Sequence, residues 1–361
     1  MSPQRIIVGI FEGLGYSDYT AFPLLTMKSM AAQGLFKQVT STFPSTGLSN
    51  TASIICGAWP EAHGIVFATP NPALSTAVPP TLFQRARANN APSAFLTSTR
   101  KVFELFGDAV AVDIAPHSAK PRIKPASDKT LSPDSEETNL WLWQTAIDLL
   151  KTRPDIKLLC IHTNDAPMHR RAPNQPSSVN YMTRLDQLIA QAQEAAPDAA
   201  FFLTATHGMN VKKRCWDLAK VCQTNGYPLK CFRTPENELN ETGEPIGIGC
   251  ASISLEDPED ETRVREIIDS LEGIESILPN RDATIRFHLP SKLLGDLMIL
   301  GDRDTVFGEL QTAGADLGEG HRAHGSLHET EVPLITYNYA GMLPSIDMFE
   351  STKDLTRFLY R

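Results

Sequence analysis

Phe201-Phe202-Leu203-Thr204-Ala205-Thr206-His207-Gly208-Met209-Asn210 is the stretch that decides the fold class. An apolar run of strand character ends in a small polar turn, and a histidine stands where the strand opens toward solvent. Open α/β sheets bind their ligands in the crevice at the carboxyl ends of their strands. Two other stretches have the same form. Leu158-Leu159-Cys160-Ile161-His162-Thr163-Asn164-Asp165 ends in an acid, with His169 four residues on. His321-Arg322-Ala323-His324-Gly325-Ser326 leads into the strand-like Val332-Pro333-Leu334-Ile335. Carboxylates and imidazoles gathered at strand ends suit a divalent metal, zinc first.

Working outward, Ile6-Ile7-Val8-Gly9-Ile10-Phe11 is apolar throughout and reads as a buried parallel strand. The turn Glu12-Gly13-Leu14-Gly15 follows it. A helix pattern with Leu24, Leu25, Met27 and Met30 closes near Gly34. Phe43-Pro44-Ser45-Thr46-Gly47 is a turn, and Ser49-Asn50 can cap a helix over Thr51–Cys56. Strand–turn–helix units recur at Ala94–Ser98, Lys157–Ile161 and Ala200–Ala205, and Asn139–Thr152 and Val179–Ala195 read as helices. This alternation predicts an α/β fold with a mostly parallel central sheet flanked by helices.

Residues 66–92 and 117–137 are rich in Pro, Ser and Ala and read as irregular excursions, part of a lid. The texture changes over residues 211–296. A strand at Ile246–Leu255, a helix at Asp260–Leu271 and a return strand at Gly273–Leu278 predict a small inserted α+β cap. Residues 1–210 and 297–361 then form the core, with Leu297–Leu300 and Val332–Ile335 rejoining the main sheet.

A chain of 361 residues is long enough for such a core and an insertion. Hydrophobic residues make up 42% and charged residues 21%, as in ordinary globular proteins. A net charge of −9 argues against nucleic acid or an anionic membrane surface as the main partner. It leaves room for a small anionic substrate, since charge in a cleft can oppose the global sign. The six cysteines form no C-x-x-C pair. Cys56 and Cys160 lie in apolar runs. Cys215, Cys222, Cys231 and Cys250 have irregular spacings, so a small zinc site or disulfides there is the lesser reading. No signal peptide or membrane-length apolar run is visible, so a soluble, cytoplasmic protein is expected. Self-association into a homodimer is left open.

Together these residues resemble the alkaline phosphatase superfamily, and within it the phosphonoacetate hydrolases and the nucleotide pyrophosphatase/phosphodiesterases. The likeness is carried by Ser53-Ile54-Ile55-Cys56-Gly57 with Pro60–Ile65, by Thr204–Asn210, by Arg286–Leu300, and by Ala323-His324-Gly325-Ser326-Leu327-His328-Glu329 through Leu334. The resemblance implies two zinc ions about 4 Å apart that clamp the attacking and leaving oxygens. It implies Asp165, His169 and His324 as ligands of one metal. The other would be held at the positions of Glu12, Gly47, Thr206 and His207.

Here the chain departs from the family pattern. Glu12 replaces an Asp, Thr206 replaces an anionic ligand by a weak one, and Gly47 replaces the threonine nucleophile. Thr46 is adjacent and is the candidate catalytic residue if the turn slips by one position. The family's substrate-binding lysines match Thr99 and Lys101. Lys101, Arg100 and Arg171 are the candidate substrate-binding cations, with Arg170 nearby. Each residue also has a plainer reading: Glu12 as a solvated carboxylate, His207 as a hydrogen-bonded histidine at a strand end, the arginines as surface charge. His63, His162, His321 and His328 read as supporting or structural.

The expected function is a metal-dependent hydrolase acting on a small phosphonate or phosphate ester, with one intact metal site and one degraded site. Zinc is the expected cofactor, with the second ion in doubt. Two alternatives stand beside it: a mononuclear metal hydrolase with a non-phosphorus substrate, and a ligand-binding scaffold without turnover.

Overall fold

Every residue of Ile6–Phe11 is buried, as expected of a strand covered on both faces. The computed structural model describes residues 4–67, 79–114, 131–132, 134–236 and 247–361. The strands in chain order are β1 (Ile6–Phe11), β2 (Leu35–Thr40), β3 (Ser93–Thr97), β4 (Val112–Ile114), β5 (Leu158–His162), β6 (Ala200–Ala205), β7 (Asn210–Val211) and β8 (Arg214–Trp216). They continue as β9 (Leu229–Arg233), β10 (Cys250–Leu255), β11 (Ile274–Pro279), β12 (Leu297–Gly301), β13 (Thr305–Phe307), β14 (Gly314–Asp316), β15 (Arg322–Ala323) and β16 (Glu331–Tyr337). The central sheet has the order β2-β16-β6-β1-β5-β3-β4. Only β16 runs against its neighbours, pairing antiparallel with β2 and β6. The sheet is thus mixed and mostly parallel, flanked by helices, in line with the reading from sequence.

The cap has its own sheet, β11-β12-β10-β9. This corrects the place of Leu297–Leu300, which pairs with β10 and β11 and not with the main sheet. The period-2 alternation of β12 explains why. Leu297 and Ile299 pack with Val264 and Ile268 of the Glu261–Asp269 helix. Met298 and Leu300 face the other way and pack with Phe43 and Val66. A strand apolar on both faces suits a sheet sandwiched between a helix and the core as well as it suits the main sheet, so burial alone could not place it. The second layer ties the cap to the segment leading into the Gly47–Cys56 helix.

Of the two excursions, residues 68–78 of the first and 117–130 and 133 of the second lie outside the described residues. The first also holds a helix, Leu82–Ala88, which composition obscured. Its signal was present: Thr81 and Gln84 form a reciprocal capping box. All six cysteines are free thiols. Among the described residues no helix is long and apolar enough to cross a membrane.

His63 sits buried behind the Gly47–Cys56 helix. Ile65 N–H donates to its Nδ1 at 3.1 Å, which leaves the proton on Nε2, 2.9 Å from Ser53 Oγ. Burial pushes its pKa down to about 3 from 6.5. The unfolded chain therefore takes up this proton first as the pH falls. The stability that the neutral ring confers is complete above about pH 6.5 and is lost at up to about 1.4 kcal/mol per pH unit down to about pH 3. Urea titrations from about pH 6.5 to about pH 4.5 should show a shallower loss for His63→Gln than for the wild type. Parallel curves would refute this.

Candidate metal centre

β5, β1 and β6 lie side by side and parallel, with Ile10 opposite both His162 and Thr204. Their carboxyl ends therefore bring Glu12, the His162–Asp165 turn and Thr206-His207 to one edge. His324 arrives from elsewhere in the chain. β15 pairs with β7, setting Ala323 opposite Asn210, three residues beyond His207.

Asp165 is the hub. Its Oδ2 lies 3.2 Å from His169 Nε2, 3.5 Å from His324 Nε2 and 3.7 Å from His207 Nε2. Ligand atoms of Asp165, His207 and His324 all lie within 4.8 Å of one another. The His207 and His324 rings stack with centroids 3.8 Å apart. Asp165 precedes the short Ala166–Arg170 helix, so the i, i+4 spacing sets His169 on the same side.

The outer nitrogens are fixed in one pattern. His169 Nδ1 lies 2.7 Å from the Arg322 carbonyl, His207 Nδ1 2.8 Å from the Gly208 carbonyl, and His324 Nδ1 3.0 Å from the Ser45 carbonyl. A carbonyl can only accept, so each Nδ1 carries the proton. Each Nε2 is then the ring atom left with a free lone pair, and all three stand near the same carboxylate oxygen. Lone pairs facing a buried anion repel unless a cation or proton stands between them. Burial first, then the neighbouring His207, hold His324 well below its usual pKa and favour its neutral form. Burial raises the Asp165 pKa, and the positive charge that His169 foremost, then His324 and His207, carry when protonated outweighs it and lowers the carboxyl below its usual range. Three imidazole nitrogens and one carboxylate are the donor set a borderline divalent metal takes. The Nδ1–carbonyl bonds are the outer contacts such ligands ordinarily have.

His207 thus joins Asp165 and His324, where the resemblance had assigned it to the other metal. Glu12 has a different principal partner. His162 Nε2 lies 2.9 Å from Glu12 Oε1 and 3.1 Å from Thr51 Oγ1, while Thr97 Oγ1 sits 3.0 Å from Nδ1. Burial pushes the His162 pKa down to about 4, so the ring is neutral and donates Nε2–H to Glu12. Thr206 is fully buried, and its Oγ1 has no hydrogen bond among the described residues.

Gly47 explains the longer acid at position 12. A Cβ on Gly47 would stand 2.4 Å from Glu12 Oε1. The extra methylene of Glu12 thus carries its carboxylate into the space a side chain at 47 would need. Glu12 and Gly47 are complementary changes. Gly47→Ala is expected to destabilise the protein by about 1–3 kcal/mol through overpacking. The double variant Glu12→Asp/Gly47→Ala should recover most of that loss in urea unfolding. No recovery would break the link between the two positions.

Thr46 is the residue before the Gly47–Cys56 helix and wholly buried. Its Oγ1 makes no hydrogen bond to Glu12, to the histidines or to any other described residue. Lys101 is exposed on the Arg100–Phe106 helix, and the side chain of Arg100 lies outside the described residues. Arg171 forms an ion pair with Glu136.

His162, read as supporting or structural, takes the supporting role and holds Glu12. Sequence reasoning missed two further supports. Glu236 of the cap, without any motif around it, lies 3.9 Å from His324 Nε2. The buried Lys212–Glu329 pair, 2.8 Å apart, anchors the loop after His324. Glu329 also accepts from Ser326 N–H and Oγ–H, and Ser326-x-x-Glu329 is a capping box visible in the sequence.

The chain's likeness to known proteins agrees with this arrangement of strands. Its fold is similar to phosphonoacetate hydrolase from Sinorhizobium meliloti 1021 in complex with phosphonoformate, with a TM-score of 0.81 and 22% identity over 98% of this chain and 94% of that one. The phosphonoacetate complex of the same enzyme gives 0.79 and 23% over the same shares. Murine ectonucleotide pyrophosphatase/phosphodiesterase 5 is more distant, at 0.65 and 15%, covering 98% of this chain and 93% of its own. The model of the type I phosphodiesterase / nucleotide pyrophosphatase family matches residues 10–327. The named neighbours and the family are hydrolases. The chain belongs to the type I phosphodiesterase / nucleotide pyrophosphatase family, within the alkaline phosphatase superfamily.

Proposed function

We propose a metal-dependent hydrolase that works with one divalent metal, zinc first, on Asp165, His169, His207 and His324. The observation that carries this reading is the convergence of three Nε2 atoms on Asp165 Oδ2. A metal bound there supplies Lewis acidity to a substrate oxygen and lowers the pKa of water. The chain's own residues supply the rest. His162 Nε2–H holds Glu12 Oε1. The proton of an attacking water is then taken at Glu12 Oε2, with the neutral His162 keeping the carboxylate oriented. Position 47 offers no hydroxyl, and the Thr46 hydroxyl is buried without a hydrogen bond to this group. Water therefore attacks the substrate directly, without a phosphothreonine.

The substrate class supported by the fold's neighbours is a small phosphonate or phosphate ester. A non-phosphorus ester is the second reading, favoured because Arg171, a candidate cation for an anionic substrate, is already paired with Glu136. The test is a screen of zinc-loaded protein against phosphonoacetate, phosphodiesters and nitrophenyl carboxylate esters, with acid-quenched samples analysed by mass spectrometry. Zinc-dependent turnover without a phosphoryl adduct is expected. An adduct on Thr46 would overturn direct attack, and no turnover of any substrate would favour a binding scaffold.

A further inference from the structure

Glu236 stands three residues past β9, at the end of a cap strand. Its backbone carbonyl accepts from Thr234 Oγ1 at 3.0 Å, which closes a tight turn. Its Oε1 accepts from the Leu48 backbone N–H at 3.1 Å. Leu48 is the second residue of the Gly47–Cys56 helix, where N–H groups lack intrahelical partners and carry the positive end of the dipole. This bond fixes the carboxylate's orientation and leaves Oε2 3.9 Å from His324 Nε2. The Glu236 side chain is only 11% exposed. The nearby Cys250 thiol is pushed upward by burial and then by the Glu329 and Glu236 carboxylates.

His324 is the second, independent sign. It is fully buried, and its Nε2 has no hydrogen bond among the described residues. That nitrogen lies 3.5 Å from Asp165 Oδ2 and 3.9 Å from Glu236 Oε2. Two carboxylates beside one unprotonated nitrogen repeat the crowding around Asp165, which a cation or a proton relieves. The charge count points the same way. One dication with Asp165 alone leaves the buried centre at +1, and adding Glu236 neutralises it. A neutral centre is far less costly to bury than a charged one.

We propose that Glu236 is a further ligand of the same metal, delivered by the cap, so that metal binding and the position of the cap are coupled. This rests on the one-metal reading above. Glu236→Gln keeps the size and the carbonyl that accepts from Leu48, and removes only the charge. Zinc affinity of the full chain would be measured by chelator competition, and hydrogen exchange of residues 229–236 with and without zinc. Wild type should bind zinc and gain protection over residues 229–236. Glu236→Gln should bind at least about 10-fold more weakly, and its strand should gain little protection even at zinc saturation. Glu236→Gln with wild-type affinity and wild-type protection would overturn the proposal alone. Wild-type protein that binds no zinc would overturn the one-metal reading and this proposal with it.

Discussion

Asp165→Asn should weaken zinc binding by more than about 100-fold, because loss of a direct ligand exceeds the 10–100-fold typical of outer contacts. The argument rests on position. Asp165 Oδ2 lies within 3.7 Å of all three Nε2 atoms and so ties the set together. Asn has the same shape but no charge. The fold around it should survive, since the hydrogen bonds that start the next helix come from the Asp165 backbone carbonyl, which accepts from Met168 and His169 N–H. Circular dichroism should therefore be unchanged while chelator competition shows the loss. Affinity within a few-fold of wild type would mean that the metal sits elsewhere.

Lys212→Met should destabilise the protein by about 3–5 kcal/mol, the usual effect of leaving one half of a buried ion pair alone. Both side chains are fully buried, and Lys212 Nζ donates to Glu329 Oε1 at 2.8 Å and to the Arg303 carbonyl at 2.9 Å. Burial alone would raise the Glu329 pKa, and Lys212 outweighs it and holds the acid ionised. Without Lys212 the carboxylate keeps its bonds from Ser326 and Asn210 but loses its counter-charge. Lys212→Met/Glu329→Gln should be clearly more stable than Lys212→Met, since the amide oxygen keeps the Ser326 bonds and no unpaired charge remains. Urea unfolding of the two variants decides the matter. A single variant within about 1 kcal/mol of wild type would show that water already reaches the pair. Because Glu329 anchors the loop after His324, zinc affinity should fall with the single variant too.

The fold was legible because its signals are local. β1, β5 and β6 are short apolar runs that break at polar turns, and parallel strands flanked by helices follow from that alternation. Asp165 and His169 were legible as a pair because they share one helical turn. What the sequence hid was non-local. Nothing in the Thr206-His207 run tells that His207 turns toward Asp165, because that choice is made by the β7–β15 pairing that brings His324 against it. The sense of Glu12 for Asp was equally hidden. It becomes clear only when the carboxylate is seen to fill the space beside Gly47, on a histidine 150 positions away. Leu297–Leu300 was misplaced for a similar reason, since an apolar strand carries no mark of which sheet it joins. Glu236 had no motif at all, being brought to the centre by the packing of the cap.

These findings meet in one number, the metal content of the zinc-saturated wild-type chain. With Glu12 turned to His162, Thr206 neutral and His207 gathered to Asp165, elemental analysis of the dialysed protein should give about one zinc per chain. A value near two would contradict the single-metal centre and restore the paired-metal arrangement that the resemblance alone implies.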